Sequence, residues 1–349
     1  MQYFRVGMLY FQEPFSKELD YRISQLEPIK RLDGEEVQIL VEHIPIQEYG
    51  LDLPYQYDFV VDRASHYFKL GISILMMLAH RGVRVVNNPF SFHYFINRKD
   101  VGYHVAHQLG CNVPPTYVLP PCKTPFFKED DFTHHQFFDW EGMIDKVGFP
   151  CFIKPANGRG ARGVSKCNNR MELMEAYDKS GKEIMVLQAM VPSEVEWQVR
   201  CLCVGKSIES AKYIFRDNDQ SEYLDDEDFL PPEIKKNVID QSQVICRSMG
   251  YEMNSVEFFI DSSGTPWAID FNNPIPDGRL EALGPMWYER YQNQMVQLVV
   301  NAALEPTTPD FIPDVNNYAQ ISRENISRED RFEKALYLAK KYYDREDST

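Results

Sequence analysis

The stretch FIKPANGRGARGVSKC at residues 152–167 limits what this chain can fold into more than any other. Gly158, Gly160 and Gly163 fit G-x-G-x-x-G, the dinucleotide fingerprint, and Gly158 and Gly163 also have the spacing of a P-loop. Neither reading survives the flanks. A dinucleotide turn joins a strand to a helix, so that the helix N-terminus meets the pyrophosphate. Here VSKC reads as a second strand. A P-loop carries Lys and then Ser or Thr after its last glycine, where this chain has Val164 and Ser165. The lysine lies upstream instead. Lys154 ends the apolar run CFI and precedes the glycines, so its ammonium can reach phosphates covered by the N–H groups of the loop. The fold must supply a phosphate loop between two strands.

The 349 residues can form one large domain or two to three small ones, and 44% hydrophobic with 13% aromatic residues marks a globular chain. A formal net charge of −15 weighs against binding nucleic acid or a membrane surface, because polyanions call for clustered Lys and Arg. Small molecules or a basic protein fit, and a homo-oligomer is left open. Arg5, Glu13 and Lys17 precede any signal-length apolar run, and LGISILMMLA at 70–79 is too short to span a bilayer, so a soluble, unexported protein is expected. The seven scattered cysteines suit reduced thiols in the cytoplasm, and Cys201 with Cys203 forms only C-x-C, which lacks the second pair of a zinc cluster.

Along the first third, FRVGMLY (4–10), EVQILVEHI (36–44) and YDFVVDRA (57–64) read as strands, 66–81 as a helix and VRVVNNP (83–89) as a buried strand. Such alternation indicates an open α/β sheet. A helix over 95–110, with Asn97 as its N-cap and Gly110 as its stop, comes next. Beyond a Pro-rich polar stretch at 120–135 lie the strand FPCFIKP, the glycine loop, the strand GVSKC, a helix at 169–180 and the strand EIMVLQAMV (183–191). EWQVRCLCVG and SIESAKYIFR form a hairpin around Gly205-Lys206, and the acidic segment 217–228 reads as a mobile loop. A helix at 231–250, the hairpin VEFFID–SSGT–PWAIDFN, a helix at 285–304 and a charged tail helix near 326–345 complete the chain.

The second hairpin is the sharpest constellation. With Asp261 opposite Pro266, the register sets Glu257 opposite Asp270, and Asn272 shares the face of Asp270. Directly opposed residues have Cβ atoms roughly 4.5–5.5 Å apart, where like charges repel, so a cation should lie between them. Glu, Asp and Asn supply the all-oxygen shell that magnesium prefers. The same pattern also fits a solvated polar face. In EWQVR, Glu196, Gln198 and Arg200 share one strand face and can meet ribose and phosphate. Lys99 opens a helix where a cation opposes the macrodipole, although a lone exposed lysine is usually solvated surface.

In this order, Lys99 before VPPTYVLP, FIKPANGRGARGV, VLQAMV, QVRCLCVG and VEFFID…AIDFN resemble the ATP-grasp superfamily over roughly 57–305. YDFVVDRA…GVRVVNNP…NRKD is similar to the segment preceding the grasp in glutathione synthetases and in the glutamate ligases that modify ribosomal proteins. The resemblance implies an α/β fold with an N-terminal open α/β domain (1–95), a lid subdomain bearing the glycine loop (96–187), a magnesium-binding subdomain (188–305) and a polar helical tail (306–349).

It also implies roles for residues. Lys99, Lys154 and the loop glycines would hold ATP phosphates, Gln188 would begin the hinge, the backbone near Ala189 and Met190 would bind adenine, and Glu196 would take ribose. Glu257, Asp270 and Asn272 would bind two magnesium ions, with Arg200 and Arg216 stabilising the transferred phosphoryl group. This sequence departs from the pattern in having Asp270 for the usual Glu, in offering Glu194 as a second ribose acid, and in replacing the Asn and paired glycines after Arg216 with the acidic 217–228 segment. The activity implied is ATP-dependent joining of a small-molecule or peptide carboxylate to an amine. A kinase of the same fold, or a silent nucleotide-binding regulator, is the rival. Arg63, Asp277, Arg279 and Tyr288 are candidates for specificity.

Overall fold

The computed structural model describes residues 2–31, 33–51, 56–123, 139–157, 162–216, 221–305 and 315–344. Its first sheet is built from β1 (Gln2–Leu9), β2 (Ile29–Lys30), β3 (Glu36–His43), β4 (Phe59–Asp62) and β5 (Arg84–Val86), with α1 (Pro14–Ser24) and α2 (Lys69–His80) interleaved. The strand order is β2-β3-β1-β4-β5, parallel except for β2. β4 lies between two parallel neighbours and is buried at all four positions, FVVD, as expected for an interior parallel strand covered on both faces. Asp62 ends it by accepting the Ala64 and Ser65 N–H groups at 3.0 and 2.8 Å, which turns the chain toward α2.

The next segment departs from expectation. α3 (Pro89–Phe95) and α4 (Lys99–Gln108) are separate helices, and Arg98, not Asn97, holds the N-cap position of α4. The second sheet comprises β6 (Thr116–Leu119), β7 (Cys151–Pro155), β8 (Ser165–Cys167) and β9 (Met185–Ala189), in the antiparallel order β6-β9-β7-β8, with α5 (Trp140–Val147) and α6 (Arg170–Ser180) packed on it. Both helices start on side-chain caps, Asp139 accepting from Gly142 N and Asn169 from Glu172 N. This sheet runs to Ala189, so a boundary after residue 187 would cut β9.

The third sheet, ordered β12-β11-β10-β13-β14, contains β10 (Gln198–Val204), β11 (Ser207–Ile214), β12 (Glu222–Leu224), β13 (Met253–Ile260) and β14 (Pro266–Asn273), with α7 (Pro232–Met249) between β12 and β13. Part of the acidic segment is therefore a strand, held where Trp287 Nε1 donates to Leu224 O at 3.2 Å. Alternation along β10 divides two cores. Val199, Cys201 and Cys203 face α7 and α4, whereas Leu202 and Val204 join Phe4, Val6 and Met8 of the first sheet under α8 (Leu280–Leu304). Asn87 fastens the two sheets, donating to Met253 O and Pro274 O and accepting from Glu252 N and Met253 N.

The tail is part of the body. After α9 (Val315–Arg323), α10 (Arg328–Tyr343) buries Ala335 and Ala339 in the core shared with α7. All seven cysteines are free, and among the described residues no helix is long and apolar enough to cross a membrane.

Candidate active site

One row of the third sheet carries charge. Arg200 on β10 pairs in register with Glu257 on β13, and Glu257 with Asp270 on β14. The register is reached indirectly. Ile260, not Asp261, opposes Pro266, and Phe258 opposes Ala268. A bulge at Ile269 then advances β14 by one residue and brings Asp270 opposite Glu257. Asp261 instead organises the turn, accepting the Ser263 and Thr265 N–H groups and the Trp267 indole.

Two lysines reach this row from other elements. The Lys99 backbone N–H donates to Ala156 O at 3.0 Å, which docks the start of α4 on the end of β7. From there Lys99 Nζ meets Asp270 Oδ2 at 2.7 Å. Lys154, on β7, donates to Tyr103 Oη at 2.6 Å, Gln188 Oε1 at 2.9 Å and Ile269 O at 3.1 Å. Tyr103 in turn donates to Ile269 O. Arg200 bonds Glu257 and lies 3.9 Å over the Tyr213 ring, with the Tyr223 ring also beside it.

Burial lowers the Lys154 pKa from 10.5 to about 7, Asp270 and Glu257 opposing that fall and Lys99 adding to it. Burial works against the Asp270 carboxylate, but Lys99 and Lys154 outweigh it and hold the group below its ordinary range. Burial likewise opposes the Arg200 charge, and Glu257 more than compensates. Burial, aided by Asp270 and Glu257, keeps the Tyr103 phenol protonated.

The other expected residues divide. Gln188 is buried on β9 and bridges Lys154 and Thr116 Oγ1. Ala189 ends β9, with its N–H on Pro115 O, and Met190 follows it. Gly163 has φ 73°, and a Cβ there would lie 2.9 Å from Pro155 Cγ, so only glycine fits; Gly158 and Gly160 lie outside the described residues. Glu196 and Glu194 are exposed ahead of β10, so Glu196 does not share a strand face with Gln198 and Arg200. Arg216 lies beyond β11, exposed and paired with Glu222 at 2.9 Å. Arg63 is buried on Glu13, Ser16 and Tyr291, and Asp277 pairs with Arg279. Tyr288 stacks edge-on against Phe15.

Tyr103, Tyr213 and Tyr223 were not anticipated. For Tyr103 the signal is its place four residues after Lys99, on the same helix face. The two others surround Arg200 through strand pairing and left no local trace.

Magnesium fits the donor set. Asn272 is 4% exposed and donates its amide N–H to Phe95 O, which leaves Oδ1 as a buried oxygen without a partner among the described residues. Among the described residues no three His, Cys, Asp or Glu side chains converge, so an ion here would rest on Glu257, Asp270, the Asn272 amide and a bound nucleotide.

The mixed sheet followed by two antiparallel sheets is the ATP-grasp fold. Within it, residues 116–276 match the family model described as D-ala D-ala ligase C-terminus. A D-alanine–D-alanine ligase of Prochlorococcus marinus is 26% identical over 173 residues, 45% of this chain and 48% of that protein. The chain thus spans about half the length of the curated relatives it matches. Among solved structures, the Bacillus anthracis D-alanine–D-alanine ligase complexed with ATP superposes with a TM-score of 0.55 at 15% identity, over 86% of this chain and 97% of that one. An ATP-grasp RimK domain protein of Sphaerobacter thermophilus gives 0.57 at 14% identity, over 85% and 98%. These likenesses support the fold.

Proposed function

We propose that the chain is an ATP-dependent carboxylate–amine ligase. The observation that carries this reading is the convergence of Lys99, Lys154 and Arg200 on the Glu257–Asp270 row, in a chain whose glycine-rich segment joins two paired strands, β7 and β8. Lys99, Lys154 and the loop would hold the triphosphate, and Gln188 with the backbone at Ala189 and Met190 would face the base. A carboxylate oxygen of the first substrate attacks the γ-phosphorus, the bond to the ADP oxygen breaks, and an acyl phosphate forms. An amine then adds to the acyl carbon, phosphate leaves, and the nitrogen loses a proton to give an amide. Arg200, boxed by aromatic rings, would keep its charge aimed at the oxygens that gain charge in both steps. Magnesium on Glu257, Asp270 and Asn272 would neutralise phosphate charge. The likeness to D-alanine–D-alanine ligases favours amino acids or short peptides as substrates.

Hydroxylamine tests the reaction class. With ATP, Mg²⁺ and pooled amino acids and small peptides, an acyl phosphate is trapped as a hydroxamate, with ADP and phosphate released in equal amounts. AMP and pyrophosphate would mean adenylation, and a stable phosphorylated product would mean a kinase.

A further inference from the structure

Two of the cysteines stand opposite each other at the base of the glycine-rich segment. Cys151 on β7 pairs in register with Cys167 on β8, and the stretch they bracket, 152–166, holds Lys154 and the loop glycines. Both side chains are 1% exposed and lie in the core beside Ile153, Leu173 and Tyr177. Lys154 and Gln188 take the other face of the same sheet, so a bond between the two sulfurs displaces no group of the candidate site. Directly opposed residues have Cβ atoms roughly 4.5–5.5 Å apart and a disulfide takes about 3.5–4.5 Å, so the strands need close by only about 1 Å. Burial pushes the Cys151 thiol up to about 12, and the neighbouring Cys167 adds to the rise. Burial raises the Cys167 thiol too. The thiolate is the attacking form, so the closed hairpin keeps both sulfurs inert. β8 can open, because it is three residues long, Ser165–Cys167, and ends the sheet order β6-β9-β7-β8. Cys203 and Cys246 also share a core, but β10 lies between β11 and β13, where opening would break the third sheet.

We propose that Cys151 and Cys167 form a dithiol–disulfide couple that, when oxidised by a low-molecular-weight disulfide, fixes the base of the β7–β8 hairpin. When β8 opens, Cys167 loses its proton and its thiolate attacks one sulfur of the reagent. The S–S bond of the reagent breaks, and the thiolate that leaves takes up a proton. On reclosing, Cys151 loses its proton and attacks Cys167 Sγ in the mixed disulfide, which forms the Cys151–Cys167 bond and expels the second reagent thiolate. The protein gives up two electrons and the reagent becomes two thiols. The new bond holds β8 on β7 and removes the opening that admitted the reagent. Under the nucleotide reading above, ATP with Mg²⁺ gathers the same segment onto the phosphates, keeps β8 closed and slows the first attack. That consequence alone rests on the nucleotide site, and the couple itself does not.

The test exposes the full chain to oxidised glutathione in native buffer, alkylates the remaining thiols in denaturant and maps the unreduced peptides by mass. A Cys151–Cys167 linkage should be the main product, and dithiothreitol should reverse it. Cys167→Ser should abolish the linkage, and Cys151→Ala serves where that variant folds poorly. Cys122→Ser changes a half-buried thiol outside the pair and should leave the linkage intact. Preferential linkage of any other pair, Cys151 and Cys167 both still free once Cys122 carries glutathione, or a linkage that forms only in urea overturns the couple. Saturating ATP with Mg²⁺ should slow the linkage severalfold. An unchanged rate, with ATP shown by calorimetry to be bound, overturns the tie between hairpin and nucleotide. Failure to bind ATP overturns the nucleotide site, while the peptide map still decides the couple.

Discussion

The Lys154 ammonium and the Tyr103 hydroxyl stand 2.6 Å apart in a pocket closed by α4, β7 and β14, where burial brings the lysine pKa down to about 7. The unfolded chain keeps that proton up to the ordinary value of 10.5. Between these limits the unfolded state binds more protons, so this group makes the fold more stable as pH rises. Its penalty is fully present below pH 7 and relieved above it. Lys154→Met removes the buried charge and keeps stem length. Melts of the two proteins from pH 6 to 9 should show the variant gaining most at the acid end, and a constant difference would mean that the lysine is not desolvated as described.

A phosphate beside Lys154 would favour its charged form. ATP binding at pH 8 should therefore draw a proton from solution and weaken as pH rises above 7. Calorimetry in buffers of different ionisation enthalpy measures the proton directly, and Lys154→Met should abolish the uptake along with most of the affinity. Equal heats in all buffers would separate Lys154 from the phosphates.

Much of the fold was legible because periodicity and glycine punctuation are local signals. β1, β3, β4, β7, β10 and α7 lie where their apolar patterns put them. The Glu257–Asp270 pairing was also expected, but two effects cancel there: the turn begins one residue earlier than the counted register, and the bulge at Ile269 restores the offset. Neither can be counted from a single sequence, because both depend on what the third sheet packs against. Arg200 as the partner of Glu257, Tyr103 under Lys154 and the docking of α10 are long-range contacts and share that limit. The Asn97 cap failed because α3 uses the residues just before it, so the chain enters α4 through Arg98, whose side chain bonds Asp100.

The C-terminal helix offers a separate check on the fold. Arg328 donates to Cys111 O at 2.9 Å and Asn112 Oδ1 at 2.7 Å, and Arg331 to Gln108 O at 3.3 Å, covering carbonyls at the end of α4. Arg328→Ala should cost about 1–2 kcal/mol, the net worth of hydrogen bonds from a charged donor. Lys99, at the other end of α4, is held by Ala156 O and Asp270, so ATP affinity should stay within about twofold, less than the tenfold that 1.4 kcal/mol represents. Denaturant melts and ATP titration of the same variant separate the two effects, and a large loss of affinity at unchanged stability would assign the helix to the nucleotide site.

Asp270 gives the last prediction. Two carboxylates facing each other suggest that neutralising one should leave the protein unchanged or more stable. The structure reverses that expectation, because each carboxylate has its own cation: Lys99 on Asp270 and Arg200 on Glu257. Asp270→Asn strands the Lys99 ammonium, whose side chain is 9% exposed, and should lower stability by about 1–3 kcal/mol. The Asp270 pKa is depressed in the folded protein, so the pair's contribution is complete above the ordinary carboxylate value of 3.8 and is lost as pH falls through the lower folded value. The difference in melting temperature between wild type and variant should be constant near neutrality and close under acid. Adding Mg²⁺ with ATP should raise the wild-type melt by mass action on the folded state and raise the variant's much less. A variant as stable as wild type near neutrality would mean that Lys99 finds another partner and that the pair contributes nothing measurable.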